Sequence, residues 1–166
     1  MAEKKNKNIG IMIGAAVIII AAIIYFTQQK PKEAVVEKQE IKMGIILGFT
    51  GPIESLTPAM AASAELAFKE ASDSGSLLGG STIKSERADS TCVDSAAATA
   101  AAEGLVSGGV VAIMGADCSG VTGAIATNVA VPNGVVMISP SATSPGLTDL
   151  NDNGFFFRTA PSDARG

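Results

Sequence analysis

Short apolar runs rich in β-branched residues alternate with helical stretches from residue 41 onwards, and this alternation constrains the fold more than any other feature. The order is strand, helix, strand, helix, strand, helix, strand, loop, strand. Such an order predicts an α/β fold, in which a parallel sheet carries helices on both faces and the crossovers are right-handed. The expected strands cover residues 41–48, 82–88 (alternating, as in an edge strand), 110–114, 135–138 and 155–158.

Residues with a preference for the N-cap position mark where the predicted helices begin. Thr57 precedes Pro58, so we expect Thr57 as the N-cap and Pro58 as the first helical residue. Asp94 is expected to cap the second helix. A third helix of small residues is predicted over 119–131, where a Pro-Asn-Gly sequence stops it.

Composition excludes several classes of function. The chain contains no His and only two Cys, so Ser-His-Asp catalysis, HExxH zinc sites and CxxC motifs are absent. Residues 41–166 hold twelve acidic and six basic side chains and no Trp, which argues against nucleic acid as a partner. No P-loop, GxGxxG or GxSxG sequence is present. We therefore expect no cofactor, no metal and no catalytic residue.

The first 26 residues have the pattern of a membrane-targeting segment. Three lysines precede residues 9–26, an uncharged and mostly apolar run with aromatic residues at its far end. The run is long enough to span a bilayer and no small-x-small cleavage site follows it, so an uncleaved anchor is favoured over a cleaved signal peptide. A buried core helix is the remaining alternative. Residues 27–40 have the composition of a linker, so residues 41–166 are expected to form an exported domain.

The two cysteines are expected to form a disulfide. Cys92 and Cys118 each follow a predicted strand, and disulfides are common in exported domains. Closing a loop of that size stabilises a domain by about 3–4 kcal/mol in the chain-entropy model. Two buried thiols are one alternative, and a nucleophilic Cys118 near a helix N-terminus is another, although the chain has no His to act as its base.

Small polar residues follow the third and fourth predicted strands, at the edge of a parallel sheet where ligands bind. Ser119 and Gly120 open the third helix, so their backbone N–H groups lack intrahelical partners and favour an anion such as a ligand carboxylate. Ser141 and Thr143 stand between two prolines that keep the chain extended, which lets both hydroxyls point the same way. The alternatives are that Ser119 serves only as an N-cap and that the second sequence is an ordinary Ser/Pro turn.

Five segments of the exported part match one protein family when taken together. They are GFTGPIESLTP (48–58), ADSTCVDSAAATAAAEGLV (88–106), GADCSGVTGAI (115–125), VPNGVVMISPSATSPGLT (131–148) and FFFRTAPSD (155–163). Through them residues 41–166 resemble the amino-terminal lobe of type I periplasmic binding proteins and, among these, the branched-chain amino-acid (Leu/Ile/Val) binding proteins of ABC importers. The resemblance implies two Rossmann-like lobes joined by a hinge, with the second lobe expected beyond Gly166.

The resemblance also implies a role for each candidate residue. Ser119 and Thr143 match residues that hold the ligand α-carboxylate, and Ser141 matches the position whose backbone carbonyl meets the ammonium group. Leu56 stands where the leucine-binding members carry an aromatic residue near the ligand side chain. The other expected ligand-binding residues are Gly120 and Ala142, which adjoin these positions, and the expected structural disulfide is Cys92–Cys118.

The function implied is that of the extracytoplasmic solute-binding component of an ABC importer. Its ligand would be an amino acid, branched-chain or a related small polar solute, which it passes to a membrane permease. Residues 9–26 are expected to hold the domain at the periplasmic face of the cytoplasmic membrane. That membrane segment motivates one alternative function, the ligand-sensing domain of a membrane-anchored receptor.

Overall fold

The computed structural model describes residues 18–20, Tyr25 and 37–165 of the chain. The chain divides into two compact units, Met1–Val35 and Val36–Gly166. Residues 18–20 and Tyr25 of the first unit are helical and exposed. The rest of the predicted membrane segment and most of the predicted linker lie outside the described residues. Within the described part, none of the helices combines the length and the apolar character needed to cross a bilayer.

The second unit contains one five-stranded sheet in which every neighbouring pair is parallel. The strand order is β2-β1-β3-β4-β5, so β2 is an edge strand, as its alternating sequence predicts. The parallel α/β fold expected from the sequence is confirmed. In chain order the elements are β1 (Glu40–Leu47), α1 (Thr57–Asp73), β2 (Thr82–Asp89), α2 (Ser95–Ser107), β3 (Ala112–Gly115), α3 (Ser119–Ile125), a π-helical segment (Ala126–Ala130), β4 (Val136–Ser139), a 3-10 turn (Pro145–Leu147), β5 (Phe156–Arg158) and a second 3-10 turn (Asp163–Arg165).

Helices cover both faces of the sheet because successive side chains of a strand point to opposite faces. In β1, Ile45 and Leu47 pack with Ala61 of α1 on one face. Ile46 points to the other face, where it joins a larger core formed with α2 and α3. Each of these β1 side chains is fully buried. The interior strand β1 therefore contributes to the hydrophobic core on both faces of the sheet.

The face that α1 covers is open beyond β3. Met137 of β4 and Phe156 of β5 are buried on the opposite face. Their neighbours Ile138 and Phe157 point towards the α1 side, where 43% and 52% of their surface is exposed. Ile138 is the register partner of Phe157, so the two apolar side chains lie next to each other on this open half of the sheet.

One predicted helix start is wrong and another is confirmed. Helix α1 already includes Thr57 as its first residue, and Leu56 occupies the N-cap position without a side-chain cap. The Thr57 hydroxyl instead donates to the carbonyl of Gly48 at 3.1 Å, which ties the start of α1 to the end of β1. Pro58 is consequently the second helical residue. Asp94 caps α2 as predicted, accepting hydrogen bonds from two backbone N–H groups of the first turn.

The third helix is not the single uniform helix that the sequence predicts over 119–131. Helix α3 ends at Ile125 and continues as the π-helical segment. There the N–H of Val131 donates to the carbonyl of Ala126 at 3.0 Å, five residues back. The wider turn places Ala126, Val129 and Ala130 all in the core, fully buried. Hydrophobic periodicity alone does not distinguish such a segment from an α-helix.

Candidate functional site

Because all five strands are parallel, the loops that follow them gather at one edge of the sheet. The loop after β1 (residues 48–56) carries Leu56, the turn after β3 leads into Ser119, and the loop after β4 (residues 140–148) carries Ser141 and Thr143. The structure thus places the predicted site residues at the carboxyl edge. Different hydrogen bonds connect these residues to the neighbouring loops.

Ser119 is bonded directly to the loop after β4. Its hydroxyl oxygen accepts the backbone N–H groups of Thr143 and Ser144, both at 3.1 Å. Ser119 is the first residue of α3, and Cys118 is the N-cap, so the alternative that Ser119 acts as the N-cap is wrong. A hydroxyl has two acceptor positions and one proton. Since two N–H groups occupy the acceptors, the Ser119 hydroxyl is left with its proton to donate.

The hydrogen bonds of Ser141 and Ala142 point into the protein. The Ser141 hydroxyl donates to the backbone carbonyl of Asp117 at 3.0 Å. Ala142 is fully buried, and its N–H donates to the hydroxyl of Ser139 at 3.0 Å. The Ser139 hydroxyl donates in turn to the carbonyl of Ala116. The loop after β4 is therefore fixed to the end of β3 at two points.

The strand β5 and the residues after it brace the same loop from the other side, a function that sequence reasoning missed. The guanidinium of Arg158 donates to the carbonyl of Ser144 at 2.8 Å and to the hydroxyl of Thr148. The backbone N–H of Asp163 donates to the carbonyl of Thr143 at 3.0 Å. These bonds, together with those to Ser119, use both backbone polar groups of Thr143 inside the lobe. Its side-chain hydroxyl is the group left to meet a ligand.

Asp117 is a second residue that sequence reasoning missed. It is 4% exposed, and its carboxylate accepts the N–H of Gly48 at 2.8 Å and the N–H of Cys118 at 2.9 Å. The hydroxyl of Ser90 donates to the same carboxylate at 3.3 Å. The sequence offered one signal for it, an acidic residue two positions after the end of β3 and two positions before the candidate residue Ser119.

The loop after β1 packs closely against the loop after β2. Gly51 has a φ of +95°, and a side chain there would come within 2.4 Å of the carbonyl oxygen of Thr91. The Thr50 hydroxyl donates to the carboxylate of Asp89 at 2.6 Å. Leu56, at the far end of this loop, is 60% exposed. The loop is thus held at its base, while Leu56 is presented at the surface.

The disulfide between Cys92 and Cys118 is present, with Cα atoms 5.2 Å apart. The disulfide that was predicted because the domain is expected to be exported is therefore confirmed. The two alternatives, in which the cysteines are free thiols, are wrong. The bond joins the loop after β2 to the residue that immediately precedes Ser119. It therefore restrains the start of α3 from a direction different from that of the loop after β4.

Gly120 is exposed at the start of α3. A side chain placed there would meet no atom within 4 Å beyond its chain neighbours and the backbone of its own helix, so packing among the described residues does not require glycine at this position. Within 37–165, no three His, Cys, Asp or Glu side chains are grouped in a way that could hold a metal ion. The groups offered at this edge are hydroxyls and backbone amides, which bind polar ligands by hydrogen bonds.

The chain resembles several solved binding proteins. One is LivJ, the branched-chain amino acid transporter substrate binding protein of Streptococcus pneumoniae, which was solved with isoleucine. Its sequence is 31% identical to this chain, and the two structures align with a TM-score of 0.67. The match covers 75% of this chain and 35% of LivJ. An ABC transporter substrate-binding protein from Desulfitobacterium hafniense, solved with Leu, is 30% identical with a TM-score of 0.65, over 76% of this chain and 36% of that protein. The leucine binding protein LivK of Thermotoga maritima is 26% identical with a TM-score of 0.63, and the match covers 74% of this chain and 33% of LivK.

The chain spans about a third of the length of these solved proteins. No curated protein matches it significantly. The family profile described as periplasmic binding protein matches residues 40–166, which include the whole sheet and every candidate site residue. With this match, the parallel sheet and the polar loops at its carboxyl edge, the chain belongs to the periplasmic binding protein family.

Proposed function

We propose that this chain forms the amino-terminal lobe of an extracytoplasmic solute-binding protein that delivers an amino acid to an ABC importer. The observation that carries the proposal is the bonding of Ser119, whose oxygen accepts two amides of the facing loop and whose proton remains to be donated. A donor hydroxyl held in place by two backbone groups is suited to a carboxylate. Two solved relatives at 30% identity or more were solved with isoleucine and with Leu, both α-amino acids.

Each end of the amino acid has a candidate partner in the proposed site. The hydroxyls of Ser119 and Thr143 would donate to the α-carboxylate, with the N–H of Gly120 as a further donor. The backbone carbonyl of Ser141 would accept from the ammonium group, while the hydroxyl of Ser141 donates to the backbone carbonyl of Asp117. Leu56 would meet the side chain of the ligand from the loop after β1.

One lobe contacts a ligand from one side only. Binding sites of small molecules bury most of the ligand surface, and hinge closure of two lobes achieves this. The proposed mechanism is therefore capture of the amino acid on this lobe, followed by closure of a second lobe over it. The closed, loaded protein would then dock on a membrane permease.

Titration calorimetry of the complete protein with a panel of L-amino acids tests the proposal. We expect one or more amino acids to bind, and we expect Ser119→Ala combined with Thr143→Ala to weaken that binding at least tenfold, since hydrogen bonds to a charged group are each worth about 1.5–3 kcal/mol. Ser63→Ala is the matched control, because its hydroxyl donates only to Ala59 within α1. The proposal would be overturned if no amino acid gave a heat of binding, or if the double variant bound with the affinity of the wild type.

The segment 9–26 supports an extracytoplasmic location, held at the membrane by an uncleaved anchor. It also favours a second candidate function, the ligand-sensing domain of a membrane-anchored receptor. The coding sequence after Gly166 distinguishes the two. A second lobe followed by a stop codon favours transport, whereas a second membrane span followed by a signalling domain favours the receptor.

A further inference from the structure

Asp117 connects three segments that are far apart in the sequence. Its Oδ2 atom accepts the N–H of Gly48, the first residue after β1, at 2.8 Å. Its Oδ1 atom accepts the N–H of Cys118 at 2.9 Å and the hydroxyl of Ser90, just after β2, at 3.3 Å. Both oxygens of the carboxylate are therefore used, and every partner is a hydrogen-bond donor.

The carboxylate of Asp117 is thus surrounded by hydrogen-bond donors from three loops. No Lys or Arg among residues 37–165 forms an ion pair with Asp117, so the buried charge is compensated by the three donors alone. An asparagine would have to turn its NH₂ group towards one of the backbone N–H groups, and two donors that face each other form no bond. Replacing Asp117 with asparagine thus removes the hydrogen bond from the N–H of Gly48 or the one from the N–H of Cys118, and it preserves the shape of the side chain.

Gly48 is held on both of its polar groups. Its N–H is bonded to Asp117, and its carbonyl accepts the hydroxyl of Thr57, the residue directly after Leu56. Both ends of the loop after β1 therefore meet at Gly48. Because Asp117 lies two residues before Ser119 and also holds Cys118, it sets where this loop sits relative to Ser119.

We propose that Asp117 is a positioning residue that fixes the loop after β1, and with it Leu56, against the Ser119 end of the ligand site. Asp117 itself is buried, so it would act through the residues that it holds. Asp117 acts on the position of Leu56, which would meet the ligand side chain. It therefore affects the selectivity among amino acids more than the affinity for the α-carboxylate that they share. This inference rests on the proposed function.

The first test compares L-leucine with L-alanine, which share the α-carboxylate and ammonium and differ in the side chain. In the complete protein, Asp117→Asn should reduce the ratio of the two affinities about tenfold, because one of the two backbone hydrogen bonds that link the loop after β1 and Cys118 through Asp117 is lost, and a hydrogen bond to a charged group is worth about that factor. Asp94→Asn is the matched control, since it removes an exposed charge while asparagine still caps α2. An affinity ratio that stays at the wild-type value in Asp117→Asn would overturn the inference.

The second test needs no ligand. Amide hydrogen exchange should rise in residues 49–56 of Asp117→Asn and remain unchanged in α2. Should Asp117→Asn fail to fold, Thr57→Val releases Gly48 from the other side with little change of shape, and the same increase is expected. Unchanged exchange in residues 49–56 overturns the positioning role even if amino acids bind. A wild-type protein that binds no amino acid overturns the proposed function, and the specificity role of Asp117 with it.

Discussion

The hydroxyl oxygen of Ser119 lies 3.1 Å from the backbone nitrogen of Thr143, although 24 residues separate them in the sequence. The same oxygen accepts the next backbone N–H, that of Ser144. The start of α3 and the loop after β4 thus form one hydrogen-bonded unit before any ligand arrives. The amino-acid binding proposed for this unit would require little further ordering of the backbone, which favours affinity.

Ser119→Ala should lower both stability and affinity. The substitution leaves two half-buried N–H groups without their acceptor, and an unsatisfied buried donor costs about 1–3 kcal/mol. Urea unfolding and calorimetric titration of the same variant measure the two effects. Ser119→Thr, which keeps the hydroxyl, should recover most of the stability. Equal unfolding midpoints for wild type and Ser119→Ala would contradict the observed bonding.

Gly120→Ala should weaken ligand binding without lowering the stability of the fold. Beyond its chain neighbours and the backbone of its own helix, the added methyl group meets no atom within 4 Å, and alanine is favoured over glycine in helices by about 1 kcal/mol. We therefore expect unchanged or higher stability together with weaker amino-acid binding, because the methyl group occupies the space in front of the helix start. Thermal melting and titration check this. Unimpaired binding would show that no ligand approaches Gly120.

Gly115→Ala should destabilise the protein severely. Gly115 has a φ of +130°, and a side chain there would lie 1.9 Å from the carbonyl oxygen of Ile46 in the neighbouring strand. Relieving such an overlap requires moving β3 away from β1, at a cost of about 3 kcal/mol or more. Gly104→Ala, in α2 with open space around it, is the control. A melting temperature within the error of the control would refute this prediction.

Loss of the disulfide should destabilise the lobe by about 3–4 kcal/mol in the chain-entropy model. The bond closes a loop of 26 residues between Cys92 and Cys118. Denaturant unfolding with and without a reducing agent measures the effect. The double variant Cys92→Ser with Cys118→Ser should unfold at the midpoint of the reduced wild type and be insensitive to the reducing agent. An unfolding midpoint of the wild type that is the same with and without the reducing agent would contradict the predicted stabilisation by the disulfide.

Asp89 should make stability depend on pH in the acid range. Partial desolvation raises its pKa, but hydrogen bonds from the Thr50 hydroxyl and from backbone N–H groups, that of Thr91 among them, outweigh this and hold the pKa of Asp89 below its usual range. A lowered pKa in the folded state means that the ionised group stabilises the fold above the unfolded pKa, and that this contribution is lost as pH falls below about 4. Asp89→Asn should therefore be less stable than wild type at pH 7, with a smaller difference at about pH 3. Urea unfolding at both values decides, and a constant difference would contradict the prediction.

The strand pattern made the sheet predictable, because parallel strands covered on both faces are continuously apolar. The disulfide followed from compartment and from where the two cysteines stand. Asp117 was not predictable in the same way, since an acidic residue after a strand is usually solvated and only tertiary contacts reveal its three donors. Thr57 was misassigned for a similar reason, because a threonine before a proline has the local pattern of an N-cap whatever its hydroxyl contacts in the fold.

The strand order has a consequence for the order in which the chain can assemble. Strand β1 comes first in the sequence and lies inside the sheet, with β2 on one side and β3 on the other. Strands β4 and β5 then add in turn to the edge that β3 leaves. No later strand of these five has to insert between two that are already paired. The sheet can therefore grow from its centre outwards in the order in which the polypeptide emerges, by successive additions to an available edge.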